Sequence, residues 1–217
     1  LGLLDRLDED GQFGATIARV GGKRVSRDLL DSFLELLFLE EHVGLSSISG
    51  LNVLDIGAGY GRLGHRFAQA LPKLGTYWCV DGVPLSTFLA EFYLEHRGVS
   101  SKARALPFPD MPQTLMPGSI NLAVNIHSFS ECCLAAITWW LDLVQSLDIP
   151  YLFIVPNRAD FQGDRLFSYE MDASRLNYLP LIKERGYRLR ARQAKYSDPI
   201  VQRHGVSPTH YFLFEKQ

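Results

Sequence analysis

The feature that most constrains this chain is the string Asp55-Ile-Gly57-Ala58-Gly59-Tyr60-Gly61, set between an apolar run at residues 52–56 and a helical pattern at 61–70. Glycines there let the backbone turn sharply and let a ligand touch the main chain with no Cβ in the way. The helix that follows points unpaired N–H groups at whatever occupies the turn. The remainder of the chain repeats the unit. Short apolar runs at 76–80, 102–106, 120–126 and 151–155 alternate with helical patterns at 85–96, 132–147 and 173–185. Buried strands alternating with helices build a parallel α/β sheet with helices on both faces. The last two apolar runs, 188–196 and 210–215, are joined by a turn-rich loop with no helix, so one joining strand is expected to be antiparallel.

Ahead of this region the texture differs. Residues 1–18 are polar, acidic and weakly periodic. Leu29, Leu30, Phe33, Leu34, Leu36, Leu37 and Leu39 then recur at helical spacing among Asp31, Glu35, Glu40 and Glu41. Ser26 suits an N-cap and Gly44 a stop. Residues 1–50 therefore form a helical lead-in, with Leu3, Leu4 and Phe13 as elements of a lid, and 51–217 form the main domain. The chain does not open on Met, and an upstream segment is expected.

Composition narrows the function. Lys plus Arg is 22 against 24 Asp plus Glu, a net charge of −2, which argues against a general nucleic-acid binder. Three cysteines are too few for a disulfide framework or a four-ligand zinc site. Cys132 and Cys133 read as buried thiols of a reducing, cytoplasmic compartment. The longest apolar run, 132–141, is too short to span a membrane. The first residues meet charge before a signal-peptide core could form.

The glycine string departs from a dinucleotide-binding fingerprint, because Arg62 stands after Gly61 where a different spacing of glycines is wanted. Asp81 ends the next apolar run, Tyr-Trp-Cys-Val-Asp, followed by Gly82. An acid at the carboxyl edge of the sheet, beside the first loop, is positioned to accept two ribose hydroxyls. A strand, Asp-x-Gly-x-Gly-x-Gly, an acid after the second strand and an antiparallel last strand together resemble the class I S-adenosylmethionine-dependent methyltransferases, over roughly residues 50–217. That resemblance implies a Rossmann-like seven-stranded, mostly parallel sheet and S-adenosyl-L-methionine as cofactor. It implies that Asp55, Gly57, Ala58, Gly59, Tyr60 and Gly61 pack the methionine part, and that Asp81 and Gly82 hold the ribose. Leu106 and the run 107–110 would meet the adenine, although Phe108 alone reads first as a core residue.

After the fourth main strand comes Asn125-Ile-His127-Ser-Phe-Ser-Glu131. It lacks the prolines of the Asn/Asp-Pro-Pro-Tyr/Phe motif of amino-group methyltransferases, which disfavours that substrate class. Asn125 sits at the cofactor's edge of this stretch. A sugar hydroxyl is a very weak acid, so a base must take its proton. His127 suits that role with an ordinary pKa near 6.5, and Glu131 could orient it or act itself. With the glycine string, this stretch resembles the sugar O-methyltransferases of bacterial glycan and natural-product clusters. A metal route, with Mg²⁺ held by acids such as Asp160 and Asp164, ranks behind metal-free base catalysis because paired acids are absent from the strand ends. No metal-binding residue is assigned. The acceptor is expected to be a small molecule or glycan. Rivals are a phenol or carboxylate acceptor, a dinucleotide oxidoreductase and a catalytically silent assembly module.

Two further features stand out. Arg188, Arg190 and Arg192 alternate, so they are expected to share one strand face, as a rail for an anionic substrate or, more plainly, a solvated surface. The acidic lead-in could pair with that face in a neighbouring chain, which makes a homodimer an expectation. Trp139 and Trp140 adjoin within one helix, so one should face the core while the other packs beneath the lead-in or a partner. Tyr60, Tyr169, Tyr178 and His204 are candidates to stack on a sugar ring, with Tyr60 first.

Overall fold

The computed structural model describes residues 2–157 and 165–217. The chain begins with a short helix α1 (Gly2–Arg6) and a hairpin of β1 (Ala18–Val20) and β2 (Lys23–Val25). The hairpin was not expected. Its strands are three residues long and show no apolar alternation, and its signal is the Gly21-Gly22 turn, both residues at positive φ, which two-residue hairpin turns favour. Helix α2 (Arg27–Val43) follows. Ser26 caps it as expected, its Oγ accepting from the Leu29 N–H at 3.0 Å, and Gly44 ends it in the left-handed conformation.

The main domain runs β3 (Leu51–Ile56), α3 (Arg62–Ala70), β4 (Leu74–Val80), α4 (Pro84–His96), β5 (Ala103–Ala105), α5 (Met111–Thr114), β6 (Leu122–Ile126), α6 (Leu134–Ser146) and β7 (Tyr151–Val155). It closes with α7 (Leu179–Glu184), β8 (Tyr187–Ala194), α8 (Pro199–His204) and β9 (His210–Lys216). The seven-stranded sheet has the order β5-β4-β3-β6-β7-β9-β8. Every pairing is parallel except those of β9, which runs antiparallel to both β7 and β8. The expected mostly parallel sheet with an antiparallel strand is thus what the chain forms. Strand order reverses between β3 and β6, and in such sheets the crevice beyond the carboxyl ends of the strands at that point is where ligands bind.

Alternate residues of each strand feed two apolar layers. Val53, Tyr77, Val124 and Phe153 face one layer, with α2 and α3. Leu54, Val80, Ala123 and Ile154 face the other, with α6. Helix α2 sends Leu29, Leu36 and Leu39, all fully buried, into the first layer. Each such burial contributes about 1.5–3 kcal/mol. Polar bonds add to this. Glu9, buried, pairs with the buried Arg66 of α3 at 2.8 Å and accepts from Ser26, while Asp10 pairs with Arg97.

Two expectations need correction. The helix expected at 173–185 forms only over α7. Ala173 has φ +63°, the Asn177 side chain accepts from the Leu179 N–H, and Pro180 then fits the first helical turn. The shared arginine face of β8 is broken by a bulge between Leu189 and Ala191. Arg188 and Arg190 both pair with Glu215, and Arg192 lies over the Phe212 ring. No helix among the described residues is long and apolar enough to cross a membrane.

Candidate functional site

The carboxyl ends of β3, β4 and β6 open into a cleft of about 730 Å³. A smaller cavity of about 200 Å³ adjoins it, and Gly57, Gly59, Ile126 and His127 line both. The glycine loop is fixed from below by Gly57 N–H and Ala58 N–H, which donate to the Val80 carbonyl at 2.8 and 3.1 Å. Gly57 and Gly59 have φ of +75° and +56°, where a side chain is strained. They serve different ends. A Cβ on Gly57 would collide with the Ser128 side chain, so this glycine lets β3 and the turn after β6 meet. Nothing lies within 4 Å of where a Cβ of Gly59 would stand, so its backbone is open to a ligand.

Asp81 locks the loop to the end of β4. Its Oδ2 accepts from Gly59 N–H at 2.9 Å and its Oδ1 from Val83 N–H at 2.8 Å. A carboxylate has about four acceptor positions, so each oxygen keeps one for a hydroxyl. Asp81 and Gly82 line the cleft. Beyond them stands an aromatic wall. Phe108 lies 6.0 Å from Trp139 and 5.4 Å from Trp140, and the two tryptophans meet edge to face at 4.8 Å. Phe108 is exposed to the cleft rather than in the core, and Trp139 faces the cleft rather than packing beneath the lead-in. Leu106, the expected adenine contact, is instead buried among core side chains and lines neither cavity.

Beside the glycine loop stands His127, which follows β6 and lines both cavities. Its φ of +70° is rare for a residue with a side chain. The turn is held by His127 N–H donating to the Val155 carbonyl at 2.7 Å. Asn125 is fully buried and lines neither cavity. Its Nδ2 donates to the Ile56 carbonyl and to Ser128 Oγ, both at 2.8 Å, so it ties β3 to the His127 turn. Burial, and then the nearby Arg62 guanidinium, pull the His127 imidazole down to about 4, well below the ordinary value expected from the sequence. It is neutral at physiological pH. Glu131 lines the same cleft and is solvent-exposed, with Asn157 Nδ2 3.5 Å away. Cys132 also lines the cleft, and both Cys132 and Cys133 are half-buried rather than buried.

The smaller cavity is lined by Asp55, Ala58, Tyr60 and Arg62. Asp55 is buried beneath the loop, accepts from Tyr77 Oη at 2.8 Å, and is pushed up to about 7 by burial. Gly61 packs against Leu94 and lines neither cavity. Tyr60 donates from its hydroxyl to Asp28 at 2.7 Å, and it alone of the four stacking candidates lines either cavity. Tyr178 is core.

Sequence reasoning missed Arg62 and its partners. Its guanidinium grips Glu35 at 3.0 and 3.2 Å and donates to Ser32 Oγ at 2.5 Å and to the Asp28 carbonyl at 3.4 Å. Asp28, Ser32 and Glu35 follow one another by four and three residues along α2, so they share a face. That polar stripe inside a leucine-rich helix was the available signal. Leu3, Leu4 and Phe13, expected as a lid, do not line the larger cleft. The described residues contain no cluster of three or more metal-ligating side chains, and Asp160 and Asp164 lie outside the described residues.

Solved structures share this architecture. The [4+2]-cyclase SpnF superposes with a TM-score of 0.61 at 12% identity, over 94% of this chain and 88% of that one. A SAM-dependent methyltransferase from Aquifex aeolicus gives 0.60 at 16%, over 87% and 92%. Geranyl diphosphate methyltransferase in complex with SAM gives 0.57 at 10%, over 86% and 90%. No protein-family model and no curated protein sequence matches the chain. These likenesses establish the class I methyltransferase fold.

Proposed function

We propose that this chain is an S-adenosylmethionine-dependent O-methyltransferase whose acceptor is a sugar hydroxyl. The observation that carries the cofactor is the pairing of Asp81 with the open glycine loop, in a cleft walled by aromatic rings and by His127. The cleft lies within the size range of small-molecule sites, about 300–1,000 Å³. Its donor set fits the group part by part. Phe108, Trp139 and Trp140 offer an apolar slot for adenine. The spare acceptor positions of Asp81 suit the ribose hydroxyls. The glycine loop and the buried Asp55 face the cavity suited to the amino-acid tail.

The cofactor, when bound, brings a methyl group on an electrophilic sulfonium. The protein's part is alignment and proton removal. The glycine loop and Asp81 hold one reactant at the strand ends. His127, where the two cavities meet, is neutral, so an imidazole nitrogen is free to take the acceptor's hydroxyl proton as the new C–O bond forms. Its low pKa makes it a weak base, which suits a proton that leaves late, after the methyl has begun to transfer. Glu131, on the same wall, is the alternative base. The sugar assignment rests on the His-containing turn after β6 in place of a proline motif.

Calorimetric titration with S-adenosylhomocysteine, with and without Mg²⁺, tests the cofactor. Micromolar binding is expected, and Asp81→Ala should weaken it by about 1–3 kcal/mol, because the ribose loses a charged acceptor and the Gly59 N–H its anchor. Absence of binding would leave a silent module on the same fold. Turnover on nucleotide-linked or free sugars, against phenols and carboxylates, tests the acceptor.

A further inference from the structure

Helix α4 carries more apolar surface than its fold requires. Its inward face, Ala90, Tyr93 and Leu94, is buried. Its outward face repeats the pattern: Leu85, Phe88, Leu89 and Phe92 are spaced as a continuous helical stripe and are 63%, 62%, 42% and 52% exposed. A helix apolar on both faces is normally covered on both. The stripe is extended at its C-terminal end by exposed Phe13, whose ring is 6.3 Å from that of Phe92. We propose that this face of α4 is the interface at which two copies of the chain pair about a two-fold axis.

Two observations favour a second copy as the occupant. The first is area. The five side chains leave on the order of 500 Å² in water, in the upper range of a monomer's largest apolar patch and over half of the ~800 Å² that each partner buries in a stable complex. The second is self-complementarity. A two-fold axis through Phe88 and Leu89 runs the paired helices antiparallel and sets Leu85 against Phe92 of the partner subunit, so large side chains meet throughout. The route expected from the sequence, an acidic lead-in on a neighbour's basic strand, uses groups already engaged within one chain: Asp31 pairs with Lys195 at 2.7 Å, and Arg190 donates to the His42 carbonyl.

Sedimentation velocity from about 1 to 100 µM tests the proposal, a range that spans ordinary dimer affinities. The chain should sediment as a dimer. Phe88→Asp should raise the dissociation constant at least ~30-fold, as removal of a central apolar anchor does, while its melting temperature and S-adenosylhomocysteine binding stay as they were. Leu89→Cys, close to the two-fold axis, should form a covalent dimer under mild oxidation, and His96→Cys, far from it, should behave as the parent chain does. A monomer at the highest concentration overturns the proposal, whether a different partner or nothing covers the face. So does a dimer indifferent to Phe88→Asp, or cross-linking through position 96 in preference to 89.

Discussion

Asp55→Asn should stabilise the ligand-free protein and flatten part of its pH dependence. The carboxyl is buried under the glycine loop with one donor, Tyr77 Oη, and burial raises it to about 7. In the unfolded chain it titrates near 3.9. Between these values the native state holds a proton that the unfolded state has lost. Stability therefore falls as pH rises through this window, and the loss is complete above the folded value. Integrated, the penalty is roughly 1.5 kcal/mol at pH 5 and about 4 kcal/mol at pH 8, as upper figures. An asparagine keeps an acceptor for Tyr77 and carries no charge to bury. On going from pH 5 to pH 8 the variant should gain about 2–3 kcal/mol on the parent, a relative rise of about 5–10 °C in melting temperature for a chain of this size. The assay is differential scanning calorimetry of both proteins at half-unit pH steps, in which titrations common to both, such as those of His65 and His127, cancel. Parallel profiles would refute the reasoning, and would mean that water or relaxation of the loop solvates the carboxylate. Cofactor affinity should fall in the same variant, because the site loses its buried negative charge on the side assigned to the amino-acid tail.

His127→Ala should lower turnover by about 10²–10⁴-fold, as expected for a general base, with cofactor affinity retained. Near-normal turnover would move the role to Glu131. Because the imidazole is already neutral above about 4, parent turnover limited by this group should be flat from pH 6 to 8, and a titration near 6.5 in that profile would contradict the burial argument. Position 127 also stores backbone strain. His127→Gly should be about 1 kcal/mol more stable than His127→Ala in urea denaturation, since only glycine occupies that φ without cost. Glu9→Ala strands the buried Arg66 and should cost about 3–5 kcal/mol, read from the same urea curves, whereas a loss below 1 kcal/mol would show that this end of the lead-in is not anchored there.

The parts of this protein legible in its sequence are those decided locally. The strand-to-helix glycine turn, the Ser26 and Gly44 ends of α2 and the antiparallel closing strand each follow from residues within a few positions of one another. Element ends were harder. α7 starts late because Asn177 and Pro180 override a helical pattern that begins with Ala173. The site itself divides in the same way. Asp81, Gly59 and His127 are strand-end residues, and the fold brings every strand end of a parallel sheet to one edge, so naming the strands nearly names the site. What was illegible depends on side chains from distant elements that meet across that edge. Arg62 looked like a misfit in a glycine motif, yet with Tyr60 it ties α2 to the loop, by way of Glu35, Ser32 and Asp28. Leu106 and Phe108, two residues apart, exchange their expected places because the chain turns between them, and nothing in their hydrophobicity says which one the turn exposes. The pKa of His127 is likewise set by burial and by Arg62, a cation distant in sequence that lines the same smaller cavity. A sequence motif can therefore mark a candidate site, while the protonation of a side chain within it is fixed by neighbours the motif does not contain.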